Sequence, residues 1–245
     1  FMKNDTLIVI PIRMASSRLP GKPLVNIKGK AMIAHVWERA TLSKCGDVIV
    51  ACCDEEARDY LSKKKIPYVM TKKNLNSGTD RVYNAIEKSF KSNSYKYVIN
   101  LQGDIPNISP QSIKKLALII KQKSVRMATL VSKIKEARAI KDINIVKAAI
   151  TKHFNFNKAL YFSRSPIPYR AKEYFEHIGI YAYKMNTLKK FVNLKMGKLE
   201  KIESLEQLRA LENGIEIVVG KVNKAPYSID TYKDLEFFLK NELIK

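Results

Sequence analysis

The stretch from Val9 to Leu24 reads VIPIRMASSRLPGKPL, and it decides the fold. It begins inside an apolar, β-branched run at residues 7–12, which predicts a buried strand near the start of the chain. Three cations follow directly, Arg13, Arg18 and Lys22, interleaved with serines and a glycine. A basic loop of small residues is either a solvated surface loop or a place where backbone N–H groups approach an anion. Its position straight after the first strand favours an anion site.

The first half of the chain alternates between strand patterns and helix patterns. Strands are predicted at 7–12, 47–51, 67–70 and 97–101, and helices at 31–43, 54–63, 79–91 and 110–123. This alternation predicts an α/β fold with a mostly parallel central sheet and helices on both faces. Ligands of such sheets bind beyond the carboxyl ends of the strands. We therefore expect the loops 13–24, 71–79 and 102–109 to converge on one crevice.

After residue 126 the alternation of strand and helix patterns becomes less regular, and the connections become longer. Strands are predicted at 127–132, 145–150, 178–183 and 216–222, and helices at 203–213 and 232–243. This pattern favours a single domain over residues 2–245, with a mixed-sheet sub-domain inserted at about 127–200. Phe1, which precedes Met2, is set aside from this reasoning.

The charge of the chain points weakly to nucleic acid. The 245 residues carry a formal net charge of +22, but only ten of the 45 basic residues are Arg, the residue suited to base readout. The lysines are also scattered along the chain rather than gathered in one stripe. Composition is therefore the favoured explanation, and we expect no specific nucleic-acid partner. A basic surface would still attract an anionic substrate.

Membrane insertion and secretion are not expected from the sequence. The apolar run at 116–120 is flanked by lysines, and the N-terminal apolar run is short and ends at Arg13. A cytoplasmic location is the expectation. Cys45, Cys52 and Cys53 form neither a disulfide framework nor the spaced pairs of a zinc site, and are expected to be reduced structural thiols.

Two carboxylates are candidates for a metal site. Asp104 lies just after the hydrophobic strand in YVINLQGDIP, residues 97–106, and Asp230 lies in SIDTYKDLE, residues 228–236. Carboxylates at the carboxyl edge of a sheet suit Mg²⁺ that bridges to substrate phosphates. An ordinary turn residue or helix cap would explain each of them equally well. The usual glycine-rich phosphate-loop and dinucleotide-binding motifs do not occur.

Seven motifs are spread along the chain: the opening loop IPIRMASSRLPGKPL, followed by SGTDR (77–81), LQGDIP (101–106), YFSRSPIP (161–168), HIGIYAY (177–183), LEQLR (205–209) and IDTYKDLE (229–236). Together, and in this order, they resemble the 3-deoxy-manno-octulosonate (KDO) cytidylyltransferases, or CMP-KDO synthetases, of the nucleotide-diphospho-sugar transferase superfamily.

The resemblance implies a reaction and a set of site residues. CTP and KDO would give CMP-KDO and pyrophosphate, which activates KDO for lipopolysaccharide biosynthesis. The residues implied in nucleotide binding are Arg13, Ser17, Arg18, Lys22, Ser77, Gly78, Arg81 and Gln102. Those implied in catalysis are Arg13, Lys22, Asp104 and Asp230, and the last two would hold Mg²⁺. The residues implied in sugar binding are Arg164, His177, Tyr181, Glu206 and Gln207. A homodimer formed through the inserted region is also implied.

The chain departs from the family's pattern at three places. Ile105 stands where the family commonly has a glutamate, and Ala-Cys-Cys-Asp replaces Ala-Thr-Asp, which leaves the role of Asp54 open. The connection at 169–177 is shorter than usual. Two other functions are kept as alternatives: a CMP-sialate synthetase-like sugar-acid cytidylyltransferase, whose opening loop reads differently, and a basic nucleic-acid-binding protein.

Overall fold

The computed structural model of the chain describes residues 4–89 and 95–241. Its strands are β1 Thr6–Pro11, β2 Asn26–Ile27, β3 Lys30–Ala31, β4 Asp47–Cys52, β5 Tyr68–Met70, β6 Tyr97–Leu101, β7 Met127–Lys133, β8 Lys147–His153, β9 Phe156–Ser163, β10 Phe175–Lys184 and β11 Ile217–Val222. Its α-helices are α1 Met32–Leu42, α2 Glu55–Lys63, α3 Gly78–Lys88, α4 Pro110–Ile120, α5 Ala137–Lys141, α6 Met185–Val192, α7 Lys198–Glu203, α8 Leu208–Glu212 and α9 Tyr232–Lys240.

One compact unit is formed by the described residues up to Lys114 together with those from Pro226 onward. Its strands follow the order β5-β4-β1-β6, and every pairing among them is parallel. Strand β1 is central, with Ile8 opposite Val48 on one side and Ile99 on the other. All six residues of β1 are buried, as expected for a parallel strand with both faces covered. The predicted parallel βα arrangement is confirmed for this unit.

The helices of this unit begin and pack as their sequences indicate. Helix α1 buries Met32, Ile33, Val36 and Ala40, which recur at helical spacing on one face. Helix α3 begins after Ser77, whose hydroxyl accepts a hydrogen bond from the Asp80 backbone N–H at 3.1 Å. This side-chain cap satisfies a donor that would otherwise have no partner in the first turn.

A small apolar cluster joins the opening loop to the end of the chain. It contains Leu19, Ile27 and Met32 from the first part, and Ile229 and Phe238 from the last part, all of them at most 1 % exposed. Because burying such side chains stabilises the fold, the cluster fixes the segment around Ile229 beside the basic loop.

The second compact unit comprises Lys115–Ala225, and the chain enters it within α4. Its strands follow the order β10-β7-β11-β9-β8. Strand β11 is parallel to β7, whereas the other neighbours pair antiparallel, so the sheet is mixed as predicted. A register shift between Ile178 and Tyr181 interrupts the β10–β7 pairing. The inserted sub-domain at about 127–200 remains a prediction.

The helix predicted at 203–213 is wrong. Two short helices, α7 and α8, replace it, because Ser204 adopts a left-handed conformation with φ of 53° and ends the first of them. Strand β9 was not predicted from the sequence, although its last residues, 161–163, begin the YFSRSPIP motif. The ends predicted for two helices, residues 90–91 and 242–243, lie outside the described residues.

Cys45, Cys52 and Cys53 are free thiols. Burial is the main reason why the pKa of Cys52 rises to about 11, which makes this thiol unreactive near neutral pH. Within the described residues, none of the helices has the length and apolar character needed to span a bilayer.

Candidate active site

A pocket of about 360 Å³ lies at the carboxyl ends of the parallel strands in the first unit. The three loops predicted to converge all contribute to it: residues 13–23, 75–78 and 102–104, with Asp230 added from the end of the chain. The pocket brings together all eight residues expected to bind the nucleotide, namely Arg13, Ser17, Arg18, Lys22, Ser77, Gly78, Arg81 and Gln102. The two expected metal ligands, Asp104 and Asp230, line the same pocket.

Lys22 lies between the two candidate carboxylates. Its Nζ donates to Asp104 Oδ2 and to Asp230 Oδ1, each at 2.8 Å. Arg18 Nη2 also lies 3.1 Å from Asp230 Oδ1, although its side chain is 61 % exposed. The two carboxylates therefore face one largely buried cation, with a second, exposed cation at the rim.

The electrostatics of this group follow from that geometry. Burial acts to lower the pKa of Lys22, but the charges and hydrogen bonds of Asp104 and Asp230 outweigh it and raise the pKa. Burial likewise acts to raise the pKa of Asp230, but Lys22, together with Arg18, outweighs it and holds the pKa below its ordinary value. Both groups are therefore charged at neutral pH.

Backbone contacts fix the two carboxylates in place. Asp104 follows β6 after Gly103, where a Cβ would lie 2.7 Å from the Ile12 side chain, so the tight turn requires glycine. The Ile229 N–H donates to the Asp104 carbonyl at 2.9 Å, which joins the two segments. Asp234 Oδ2 accepts from the Asp230 N–H at 3.0 Å, as part of the capping box of α9. Asp230 therefore lies just outside the helix cap and is not itself the cap.

The residues around Asp104 fit a divalent cation whose remaining ligands would come from the substrate. Asp104 and Asp230 already converge on one cation, the Lys22 ammonium, and Mg²⁺ is commonly held by one or two carboxylates plus phosphate oxygens. Ile105 is buried and supplies no third carboxylate. In the described ranges, His, Cys, Asp and Glu side chains form no group of three or more that would hold a metal by itself.

A polar chain runs from the pocket into the core on the side of α3. Gln102 Nε2 donates to Asn100 Oδ1 at 3.2 Å, and Asn100 Nδ2 donates to Thr79 Oγ1 at 3.1 Å. Arg81 is buried and donates to Thr71 Oγ1 at 2.6 Å and to the Lys72 carbonyl at 3.1 Å. The Arg81 side chain therefore holds the 71–73 segment beside the pocket that it also lines.

Asp54 restrains the opening loop, a role that sequence reasoning left open. Its Oδ2 accepts a hydrogen bond from the Met14 backbone N–H at 2.8 Å, and the residues are 40 positions apart. Asp54 precedes α2 but its side chain makes no cap bond there. The carboxylate thus fixes the backbone directly after Arg13.

The sugar-binding set predicted from the sequence lies in the second unit. His177 and Tyr181 are neighbours on β10, with ring centroids 5.3 Å apart. Burial lowers the pKa of His177 to about 3, so the imidazole is neutral at physiological pH. Thr129 Oγ1 lies 2.8 Å from the Ile180 carbonyl, which can only accept, so its single proton is used there. His177 Nε2, 3.1 Å from the same hydroxyl, must then carry a proton and donate it, which leaves Nδ1 as an acceptor.

The remaining members of this set differ in how far their polar groups are already engaged. Arg164 donates from Nε to the Glu203 carbonyl at 2.9 Å and from Nη1 to the Ile143 carbonyl at 3.0 Å. In the part of the chain that the structure describes, the buried Tyr181 hydroxyl and the Gln207 Nε2 have no hydrogen-bond partner. Buried polar groups are normally paired, so these two groups are open to a hydrogen bond with water or a polar ligand.

The structure adds residues that the motifs did not single out. Asn100 bonds to Gln102 of the pocket, Asp54 bonds to Met14 in the opening loop, and Thr129 lies 3.1 Å from His177 Nε2. A buried polar residue within an apolar strand, as in VINL at 98–101, is the signal that was available for Asn100. The contact from Asp54 to Met14 joins two loops and leaves no local signal in the sequence.

The fold and the pocket define a nucleotidyltransferase-like α/β protein. A solved structure of a cytidylyltransferase from Leptospira borgpetersenii serovar Hardjo-bovis shares this fold, with a TM-score of 0.64 at 16 % identity, over 97 % of this chain and 86 % of that one. A second solved structure, of a CMP:2-keto-3-deoxy-manno-octonic acid synthetase complexed with CTP, has a TM-score of 0.89 at 37 % identity, over 96 % of this chain and 97 % of that one.

Comparisons of the amino-acid sequence show the family to which the chain belongs. Residues 7–217 match the family model described as Cytidylyltransferase. Proteins named 3-deoxy-manno-octulosonate cytidylyltransferase are 41 % identical in Paramagnetospirillum magneticum, over 94 % of both chains, and 42 % identical in Thermodesulfovibrio yellowstonii, over 94 % of this chain and 95 % of that one. The chain belongs to the cytidylyltransferase family, and within it to the 3-deoxy-manno-octulosonate cytidylyltransferases.

Proposed function

We propose that the chain transfers CMP from CTP to the anomeric hydroxyl of KDO, giving CMP-KDO and pyrophosphate for lipopolysaccharide biosynthesis. The observation that carries the proposal is the pocket in which Arg13, Arg18 and Lys22 meet Asp104 and Asp230. The names of the relatives support KDO as the acceptor, and the similar synthetase solved in complex with CTP supports CTP as the donor.

The cations of the opening loop receive the triphosphate in this proposal. The KDO hydroxyl oxygen forms a bond to the α-phosphorus while the bond from that phosphorus to the bridging β-phosphate oxygen breaks, and the hydroxyl proton passes to water. Negative charge therefore grows on the departing pyrophosphate. Arg13, Arg18 and Lys22 are placed to neutralise it, and positioning with charge neutralisation is the main source of catalysis in such transfers.

Mg²⁺ is the proposed cofactor, and Asp104 and Asp230 would hold it. When bound, it supplies charge neutralisation to the phosphate oxygens. The lysine that now lies between the two carboxylates has a flexible stem, and phosphate oxygens are an alternative partner for its ammonium. Lys22 thus connects the carboxylate pair with the triphosphate.

In this proposal the second unit binds the sugar acid through polar side chains, one of which is a neutral histidine. His177 Nδ1 accepts from a sugar hydroxyl, and the unpaired Tyr181 hydroxyl and Gln207 amide supply donors. Arg164 is the cation of the set: it donates to the carbonyls of Glu203, Ile143 and Ser204, and two of its five N–H groups are left for a carboxylate. Hydroxyl and carboxylate recognition together suit an anionic sugar.

We predict KDO-dependent release of pyrophosphate from CTP in the presence of Mg²⁺. Three reactions would be compared: one with KDO, one with sialic acid and one without acceptor. The proposal expects turnover with KDO, little with sialic acid and none without acceptor, and addition of EDTA should abolish it. Equal turnover with sialic acid, or turnover without acceptor, would refute KDO as the substrate.

A second prediction concerns Asp54. Replacing Asp54 by Ala removes the acceptor of the Met14 N–H and should raise the KM for CTP about tenfold, as expected for the loss of one charged hydrogen bond. The KM for KDO should change less than about twofold, because the Asp54 carboxylate bonds to Met14 in the opening loop and to Cys53, and neither residue belongs to the sugar set. Asp54→Asn, which keeps an acceptor oxygen, is the matched control and should fall between Asp54→Ala and the unsubstituted chain. An unchanged KM for CTP in Asp54→Ala would show that this restraint on the loop does not contribute to CTP binding.

A homodimer in the cytoplasm completes the proposal. Large apolar side chains of the second unit are strongly exposed, among them Phe154 and Tyr169, each at 84 %. Exposed apolar side chains mark an association surface where they form one contiguous patch, which the proposal expects of these residues. Size-exclusion chromatography with light scattering would measure the mass, and a monomer at micromolar concentration would contradict the dimer.

A further inference from the structure

A buried ion pair joins the two short helices of the second unit. Arg209 on α8 donates from Nε to Glu200 Oε2 at 2.8 Å and from Nη2 to Glu200 Oε1 at 2.6 Å, and Glu200 lies on α7. The side chains are 8 % and 6 % exposed, so both charges are removed from water. The guanidinium also lies over the Phe191 ring, 5.1 Å from its centroid. Two parallel hydrogen bonds fix the relative orientation of the paired groups more tightly than a single contact does.

The turn that carries the Glu206 and Gln207 side chains lies between the two residues of the ion pair, Glu200 and Arg209. Helices α7 and α8 have only six and five residues, too few to be stable from their own hydrogen bonds. Between them Ser204 is in the left-handed region, with φ of 53°. The conformation of this turn therefore depends on contacts made by the flanking helices, and the Arg209–Glu200 pair is a buried, charged contact that joins them.

The guanidinium is also close to the predicted sugar pocket itself. Arg209 Nη2 lies 3.8 Å from Glu206 Oε1. Burial raises the pKa of Tyr181, and interactions with Tyr183 and then with the Glu206 carboxylate raise it further, so Glu206 and Tyr181 interact. The next residue, Gln207, presents the buried Nε2 that has no partner in the described parts of the chain.

Stability alone does not account for such a pair. A buried ion pair contributes little net stability compared with apolar side chains of the same volume, whereas it does specify geometry. We propose that Arg209, anchored by Glu200, is a positioning residue for the sugar acid, and that it acts by orienting Glu206 and Gln207 toward the acceptor. The inference rests on the proposed function and extends it to the arginine of the LEQLR motif.

The first test compares Arg209→Lys and Glu200→Gln with the unsubstituted chain. Lysine keeps the charge but loses the two-pronged donor, and glutamine keeps the shape but loses the charge of the anchor. Each is expected to raise the KM for KDO about tenfold, as expected for the loss of one charged hydrogen bond, with the KM for CTP changed less than about twofold. Ile217→Val, a buried core change in the same unit, is the control for general destabilisation, with Tm measured for every variant.

The second test asks whether Arg209 acts through Glu206. In a Glu206→Gln background, Arg209→Lys should add little to the KM for KDO, because residues that act as one unit are not additive. If Arg209→Lys and Glu206→Gln instead multiply their effects on the KM for KDO, the inference is overturned. An equal rise of the KM for KDO in Ile217→Val would also overturn it, as would an unchanged KM for KDO in both Arg209→Lys and Glu200→Gln. Absence of KDO-dependent turnover in the unsubstituted chain would overturn the proposed function, and this inference with it.

Discussion

Replacing Asp104 by Asn should lower kcat with CTP and KDO about a thousandfold while the fold stays intact. The change keeps the size of the side chain and removes one of the two negative charges that face Lys22. The remaining carboxylate, Asp230, is shared with Arg18 and Lys22, so it alone would hold a divalent cation poorly. Charge neutralisation of the triphosphate would then be incomplete in the transition state. Pyrophosphate release measured over a range of Mg²⁺ concentrations would detect both effects.

The matched control for this variant is Asp59→Asn. Asp59 is an exposed carboxylate on α2 that pairs with Arg58 and does not line the pocket, so Asp59→Asn removes the same charge outside the site. We expect its kcat to stay within about twofold of the unsubstituted chain, as for most surface changes. An unaltered kcat in Asp104→Asn, with turnover still dependent on Mg²⁺, would exclude Asp104 from the reaction. A collapse of Tm in Asp104→Asn would instead show that the carboxylate is mainly structural.

The parallel unit could be predicted well because its signals are local. Residues 7–12 are continuously apolar and β-branched, and each later strand is followed by an amphipathic helix. Once the strands are parallel and adjacent, the loops after them must open at the same edge of the sheet. The convergence of the three loops on one pocket therefore followed from the strand pattern, and the structure confirms it.

The parts that could not be predicted depend on contacts between distant residues. Lys22 meets Asp230 across 208 positions, and Asp54 meets Met14 across 40. Neither contact leaves a periodic pattern in the sequence. The helix predicted at 203–213 failed for a related reason: a helix-compatible pattern continues through the turn, and the left-handed Ser204, supported by the Arg209–Glu200 pair, interrupts it. The spacing of the motifs predicted only which side chains lie near one another. The family resemblance added the expected role of each side chain.

Replacing Lys22 by Met should also lower kcat strongly. Methionine keeps the unbranched stem and removes the ammonium that contacts both carboxylates. We expect kcat to fall about a hundredfold to a thousandfold, because a cation that neutralises the departing pyrophosphate is lost. Lys63→Met, an exposed change on α2, is the control and should behave like the unsubstituted chain. A kcat within about threefold of normal would mean that Arg13 and Arg18 suffice for the triphosphate.

The same variant should also lose stability in a defined pH window. Asp230 has a pKa below its ordinary value of 3.8, so its contribution is present above that value and is lost as the pH falls through the folded pKa. Lys22 has a pKa above its ordinary value of 10.5, so its contribution is complete below that value and is lost as the pH rises further. Between these limits the variant should unfold with about 1–2 kcal/mol less free energy, because the pair is only partly buried. Urea titrations at pH 7 and pH 3 would measure the difference, which should shrink at the lower pH. A difference that is the same at both pH values would show that the lost stability comes from packing of the lysine stem and not from its charge.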